Sequence, residues 1–157
     1  MSRDEIAARV AALPGVVTVT ASEATGAPEV SWGDTFFFHD PDGDDPTARR
    51  MPFATIVIHD YPGFDTASDL NRPGVFRLNI GVGRAVFERL FGCPPSAHAT
   101  RQDDIDHTAL DRLVPHPVYA AQAWVAVLNP GESTAARAWS LLVEAHDRAA
   151  RRHRPRA

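Results

Sequence analysis

The spacing of apolar residues predicts an alternation of helices and strands along the chain. A capping box over residues 2–5, followed by apolar residues at helical spacing, predicts a first helix that ends at Pro14-Gly15. Stretches that are β-branched or alternate with a period of two predict five strands, over residues 16–20, 29–39, 53–59, 75–82 and 123–128. Apolar residues at helical spacing predict three more helices, over residues 84–91, over 106–113 and from 133 onward.

The predicted order of elements, α-β-β-β-β-α-α-β-α, is typical of a two-layer α+β domain. We expect an antiparallel sheet with the N-terminal and C-terminal helices packed on one of its faces. A single domain should cover residues 1–152, because no linker or repeat interrupts the pattern, and the basic segment 153–157 should be a frayed tail. The pattern does not say which face of the sheet the helices cover.

The charged residues and the cysteine content exclude several classes of chemistry. All 16 basic residues are arginine, and without lysine the chain can form neither a Schiff base nor a Walker-type phosphate loop. The formal net charge of −4 argues against a nucleic-acid partner, which would need a basic surface. The single cysteine, Cys93, excludes an intrachain disulfide and a multi-thiolate zinc site. We therefore predict no cofactor.

The apolar runs of the chain are short. None approaches the roughly 18 residues that a membrane span needs. The first residues include acids where a signal peptide would be basic and then apolar. The sequence thus predicts a cytoplasmic protein with no membrane partner.

Polar residues at alternating positions of the predicted strands indicate a ligand-binding face. They are His39, His59, Arg77 and Asn79. If these residues share the face that the helices leave open, they form a surface that can hold an anionic or hydrogen-bonding ligand. An ordinary solvated sheet face explains the same pattern.

Large apolar side chains near that face favour the ligand-binding interpretation. Trp32 and Tyr61 would provide flat walls for a ligand. Arg77 would anchor an anionic group, and Asn79 would supply hydrogen-bond donors and acceptors. The predicted ligand-binding set also includes His116 and Trp124.

Asp34 is the carboxylate best suited to acid–base chemistry. It lies between Trp32 and Phe36 on an otherwise apolar stripe, where loss of water would raise its pKa. Such a residue acts as a general acid or base, or it forms a structural ion pair, for example with Arg77. His59 is the alternative general base.

The sequence predicts no metal site. The acidic loop from Asp40 to Asp45 matches a calcium-binding loop only in part, because position 12 of that loop would be Met51. None of the seven histidines has the spacing of a known metal motif. His107 and His116 could form a site with a nearby carboxylate, but nothing in their spacing requires it.

Several stretches of the sequence resemble known families. They cover residues 13–17, 32–37, 51–57, 77–82 and 116–125. Together they are similar to an uncharacterised family of short actinobacterial proteins, a domain of unknown function. The opening helix and the late strand with Trp124 also resemble MmcQ/YjbR-like proteins. That resemblance implies an α+β fold with an antiparallel sheet and, for some members, contact with DNA, although residues 121–123 lack the lysine that often precedes this tryptophan.

These observations leave three functional hypotheses. The first is a cytosolic small-molecule-binding or accessory protein whose polar sheet face takes a small anionic or aromatic ligand. The second is a cofactorless lyase, isomerase or hydrolase, in which Asp34 or His59 is the general base and Arg77 stabilises developing negative charge. The third is an interaction module that forms a homodimer through an open sheet edge.

Overall fold

The computed structural model describes residues 1–43, 51–98 and 104–152. Within these ranges, one open sheet of six antiparallel strands packs with four helices, and the fold is α+β. The predicted fold class is therefore confirmed. The predicted basic tail, 153–157, lies outside the described residues, as do Asp44 and Asp45 of the acidic loop.

The sheet is built mainly from strands that are neighbours in sequence. The strands are β1 (Val16–Thr20), β2 (Thr35–His39), β3 (Ala54–Val57), β4 (Arg77–Gly81), β5 (Leu113–Pro115) and β6 (Trp124–Leu128). They lie in the order β1-β2-β3-β4-β6-β5, and every neighbouring pair is antiparallel. β2 and β3, which follow each other in sequence, are antiparallel neighbours, and β6 inserts between β4 and β5.

The helices of the described ranges follow the sequence signals at their ends. They are α1 (Arg3–Ala11), α2 (Arg84–Phe91), α3 (Pro95–His98) and α4 (Ala135–Arg152). α1 begins as predicted, because the Ser2 hydroxyl accepts the Glu5 N–H and the Glu5 carboxylate accepts the Ser2 N–H. α2 ends at Gly92, whose φ of 75° lies in the left-handed region that glycine adopts without strain. None of the described helices is long and apolar enough to cross a membrane.

The helices cover one face of the sheet, and the hydrophobic core lies between them and this face. Cross-strand pairing places Phe37 beside Ala54 and Ile56 beside Leu78 on this helix-covered face. The helical side of the core is formed by Ile6, Val10, Phe87, Leu141 and Leu142. The opposite face, called here the second face, carries Phe36, Thr55, Val57, Arg77, Asn79 and Trp124.

The strand predicted over 29–39 is wrong in its first half. Glu29–Ser31 forms a turn of 3-10 helix, and β2 begins only at Thr35. Gly33 allows the chain to turn here, because its φ of 91° is unfavourable for other residues. A Cβ at position 33 would also lie 2.5 Å from a side-chain carbon of Ile58.

The helix predicted over 106–113 is also wrong, because these residues form turns and the start of β5. Asp111 has a left-handed backbone, with a φ of 55°. Its carboxylate accepts the N–H groups of Gly131, Ser133 and Thr134, just before α4. This residue therefore caps a distant helix instead of continuing a local one.

Candidate ligand-binding site

A cavity of about 570 Å³ opens on the second face of the sheet. Side chains of β2, β3, β4 and β6 form its floor, and segments 28–31, 51–52, 61–65 and 116–122 form its walls. Its lining is largely apolar, with a few polar groups. A cavity of this size and chemistry is typical of a small-molecule site.

A buried ion pair lies at the floor of this cavity. Arg77 is 1% exposed, and its two terminal nitrogens donate to the two carboxylate oxygens of Asp65. Arg77 also donates to the Ser68 hydroxyl at 2.9 Å and, through Nε, to Asn79 Oδ1 at 2.8 Å. The charge of Arg77 is therefore compensated within the chain by a bidentate carboxylate, which occupies the position we predicted for an anionic ligand.

Asn79 and Thr55 give the floor of the cavity its hydrogen-bond donors. Because Asn79 Oδ1 accepts from Arg77, the amide nitrogen faces Thr55, and it donates to the Thr55 hydroxyl oxygen at 3.0 Å. The Thr55 hydroxyl is thus an acceptor in this bond and keeps its own hydrogen. Within the described ranges, no other side chain or carbonyl accepts that hydrogen.

His116 is buried beside the ion pair and is neutral. Its Nδ1 accepts the backbone N–H groups of Val118 and Tyr119, at 3.0 and 2.9 Å. Burial, followed by the positive charge of Arg77 and the nearby His107, holds the pKa of His116 well below its usual value. The other ring nitrogen, Nε2, lies 3.4 Å from Arg77 Nη2, and the neutral ring adds no charge to the cavity.

Exposed apolar side chains surround the opening of the cavity. Val30, Met51, Phe64 and Tyr119 line it, and each remains between 39% and 69% exposed to solvent. The ring centres of Phe64 and Tyr119 are 6.1 Å apart. Apolar side chains gathered at one place on a protein surface are typical of binding sites.

Trp124 lines the cavity because Gly81 leaves room for its ring. The two residues are direct partners across β4 and β6. A Cβ at position 81 would lie 3.1 Å from the Trp124 indole, closer than most real Cβ contacts. A larger residue at 81 would therefore displace the indole from the cavity wall.

Five of the predicted residues meet in the lining, and three do not. Those in the lining are Tyr61, Arg77, Asn79, His116 and Trp124. Trp32 lies outside it and donates from Nε1 to the Ala27 carbonyl at 2.9 Å, because residues 29–31 turn instead of extending β2. His59 also lies outside it, and its ring Nε2 contacts the Val30 carbonyl oxygen. Asp34 contacts Tyr61 from outside the lining.

His39 lies on the helix-covered face, not with the other predicted polar residues. Its ring is 5.5 Å from that of His146 in α4. The pairing of Phe37 with Ala54 sets odd-numbered residues of β2 beside even-numbered residues of β3. His39 therefore shares a face with Ala54, while Thr55 lies on the other.

Asp34 forms a buried pair with Tyr61. The Tyr61 hydroxyl donates to one carboxylate oxygen of Asp34, and the Ile58 N–H donates to the other at 3.0 Å. Burial raises the pKa of Asp34 above its usual 3.8, against the opposite effect of these two hydrogen bonds. Burial and the Asp34 carboxylate also raise the pKa of Tyr61. The expected rise in the pKa of Asp34 is confirmed, but the suggested ion pair with Arg77 is wrong, because Arg77 pairs with Asp65.

We expect the substitution Asp34→Asn to change how stability depends on pH. The folded state holds the Asp34 proton more tightly than the unfolded state, so the free energy of unfolding falls as the pH rises above about 3.8. An asparagine cannot ionise, so the decrease in the free energy of unfolding that Asp34 causes should disappear. Urea unfolding at several values between about pH 4 and pH 7 measures the difference. Glu23→Gln, an exposed carboxylate, should keep the wild-type profile, and an unchanged profile in Asp34→Asn would contradict the buried pair.

Three important residues of the site were absent from the predicted set. Asp65 and Ser68 lie in a segment without strand or helix periodicity, so no pattern indicates that they reach Arg77. Thr55 follows the alternation of β3 and could have been found, since it shares a face with Val57. Its β-branched side chain is common in strands, which hides a polar role.

Cys93, His98 and His146 are not among the residues that line the cavity. Within the described parts of the chain, no three metal-binding side chains come together. Cys93 Sγ lies 2.9 Å from His98 Nε2, close to the end of α2. Neither residue lines the cavity, so neither takes part in this site.

Comparison with known proteins identifies a family. A family model matches residues 1–157. The chain belongs to DUF6194, a family of unknown function. No curated protein and no solved structure matches this DUF6194 chain. Membership in DUF6194 agrees with the predicted resemblance to a domain of unknown function and assigns no substrate.

Proposed function

We propose that the chain binds a small, largely apolar molecule in the cavity on the second face of the sheet. One observation carries this proposal: a single cavity of about 570 Å³ combines an exposed apolar opening with a buried polar floor. The first feature supports affinity and the second supports specificity.

The apolar opening supports binding because its side chains lie outside the hydrophobic core and are exposed to water. Val30, Met51, Phe64 and Tyr119 gain little from the hydrophobic core while they remain exposed. Each square ångström of apolar surface that a ligand removes from water contributes about 25 cal/mol. A ligand seated among these four residues would therefore be stabilised by the surface that the fold leaves uncovered.

The polar floor supports binding because it is held rigid before any ligand arrives. Arg77 is fixed by Asp65 and Ser68, and it fixes the orientation of the Asn79 amide. A site whose polar groups are already oriented loses less entropy on binding than one that must be ordered.

The alternative functions stay predictions. A general-base role for Asp34 would have to act through Tyr61, whose hydroxyl bonds to it. A homodimer through a sheet edge would use β1 or β5, the outer strands of the sheet. The cytoplasmic location and the resemblance to MmcQ/YjbR-like proteins also stay predictions.

A fluorescent probe tests the proposed site directly. We expect 6-propionyl-2-(dimethylamino)naphthalene, an uncharged probe that brightens in apolar surroundings, to bind with saturation. Phe64→Ala should weaken this binding by about tenfold, because Phe64 is a large aromatic side chain of the opening.

Leu110→Ala is the matched control for this experiment. Leu110 is 49% exposed, similar to Phe64 at 57%, but it does not line the cavity. Its substitution should leave the affinity unchanged. Equal affinities of the wild type and Phe64→Ala, measured by titration, would contradict the proposed site.

A further inference from the structure

We infer that the ligand of this cavity is uncharged and offers a hydrogen-bond acceptor, such as a carbonyl oxygen, to Thr55 and Asn79. This inference rests on the proposed function and adds the chemical class of the ligand. It follows from the charges and from the direction of the hydrogen bonds at the cavity floor.

An anionic ligand does not match the charges of the floor. Arg77 and Asp65 are the two charged side chains in the described lining, and they neutralise each other. An entering anion would approach the Asp65 carboxylate and would have to compete with it for the guanidinium. The compensating gain is small, because Arg77 already donates to both Asp65 oxygens, to Ser68 and to Asn79.

A cationic ligand does not match the floor either. The aromatic rings of Tyr61, Trp124 and Tyr119 would attract a cation. However, Asp65, the carboxylate of the described lining, already pairs with Arg77, so no uncompensated negative charge is left there for a cation. The second amide hydrogen of Asn79 and the hydroxyl hydrogen of Thr55 are donors, and a cation such as an ammonium group has no lone pair to accept from them.

The floor offers donors and needs acceptors. One amide hydrogen of Asn79 is donated to Thr55, which leaves the second amide hydrogen and the Thr55 hydroxyl hydrogen. In the ranges that the structure describes, neither of these two hydrogens has a protein acceptor. A ligand carbonyl has two lone pairs and can accept from both, which removes the cost of leaving buried donors unpaired.

The experiment compares one aromatic ring with three different groups. All three probes carry the 2-(dimethylamino)naphthalene ring and differ at position 6. A propionyl group there gives an uncharged ketone, a carboxylate gives an anion, and a methylammonium group gives a cation. We expect the ketone to bind at least about tenfold more tightly than either ion. Thr55→Val keeps the side-chain shape but removes the hydroxyl, both as a donor to the ligand and as the acceptor of Asn79, and it should weaken the ketone by about fivefold.

Thr35→Val is the matched control. Thr35 and Thr55 are both 9% exposed and lie on neighbouring strands, but Thr35 faces the helices and does not line the cavity. The same substitution there should leave every affinity unchanged. Urea unfolding of both variants ensures that they are compared as folded proteins.

The outcomes separate the ligand class from the site itself. Tighter binding of either ion, or an unchanged ketone affinity in Thr55→Val, overturns the inferred ligand class. If Phe64→Ala still weakens the probes in that case, the proposed cavity stands. If Phe64→Ala changes the binding of no probe, the proposed function fails, and the inferred class fails with it.

Discussion

Replacing Arg77 with methionine should lower the free energy of unfolding by about 3–5 kcal/mol, the usual loss when one partner of a buried ion pair is removed. Arg77 is 1% exposed and Asp65 is 7% exposed. After the substitution, the Asp65 carboxylate stays buried without its cation. Ser68 and Asn79 also lose a donor each. Urea unfolding, followed by tryptophan fluorescence, measures the loss.

A double-mutant cycle identifies the ion pair as the cause. Asp65→Ala should also be strongly destabilising, because it leaves the Arg77 guanidinium buried alone. The double variant should lose much less than the sum of the two single losses, since neither charge is then left without a partner. Additive losses would show that the two charges do not interact as the structure places them.

An exposed ion pair provides the matched control. Arg84 pairs with Glu88 one turn along α2, and its side chain is 78% exposed. Arg84→Met should change the free energy of unfolding by less than about 1 kcal/mol, because water and counterions already screen this pair. A small loss in Arg77→Met, comparable to that of Arg84→Met, would contradict the buried position of Arg77.

This stability effect determines how the site should be probed. A variant of Arg77 would lose ligand binding and stability together, so it cannot distinguish a binding role from a structural one. Thr55 and Phe64 are better positions. Thr55→Val preserves the side-chain shape, and Phe64 is an exposed residue of the opening.

The sequence could predict which residues of a single strand share a face, but it could not predict their partners. Arg77 and Asn79 are two residues apart on β4, so strand geometry alone places them together. Asp65 lies in an irregular segment between β3 and β4, and its position depends on the tertiary path of that segment. Arg77, which we predicted to anchor an anionic ligand, therefore lies in the cavity, but Asp65 already compensates its charge.

Turn chemistry explains the largest error in the predicted site. The alternation from Val30 to Phe38 is regular enough for one long strand. Gly33 interrupts it with a positive φ, and Trp32 then turns away to bond to Ala27. A single glycine in a strand pattern indicates such a break, but it does not indicate where the preceding residues go.

The sequence pattern also did not predict which face of the sheet the helices cover. Two adjacent phenylalanines of β2 test this assignment. Phe37 is fully buried against the helices, whereas Phe36 lines the cavity. Phe37→Ala should lower the free energy of unfolding by about 3–5 kcal/mol, because it leaves a void in a close-packed core. Phe36→Ala should cost less, because its ring borders a space that is already open.

Ligand binding should respond in the opposite order, and this makes the pair of variants decisive. Phe36→Ala removes part of the cavity wall and should weaken binding of 6-propionyl-2-(dimethylamino)naphthalene. Phe37→Ala, measured at a urea-free condition where it is still folded, should bind the probe like the wild type. If Phe37→Ala weakened binding and Phe36→Ala did not, the ligand would lie on the helix-covered side of the sheet.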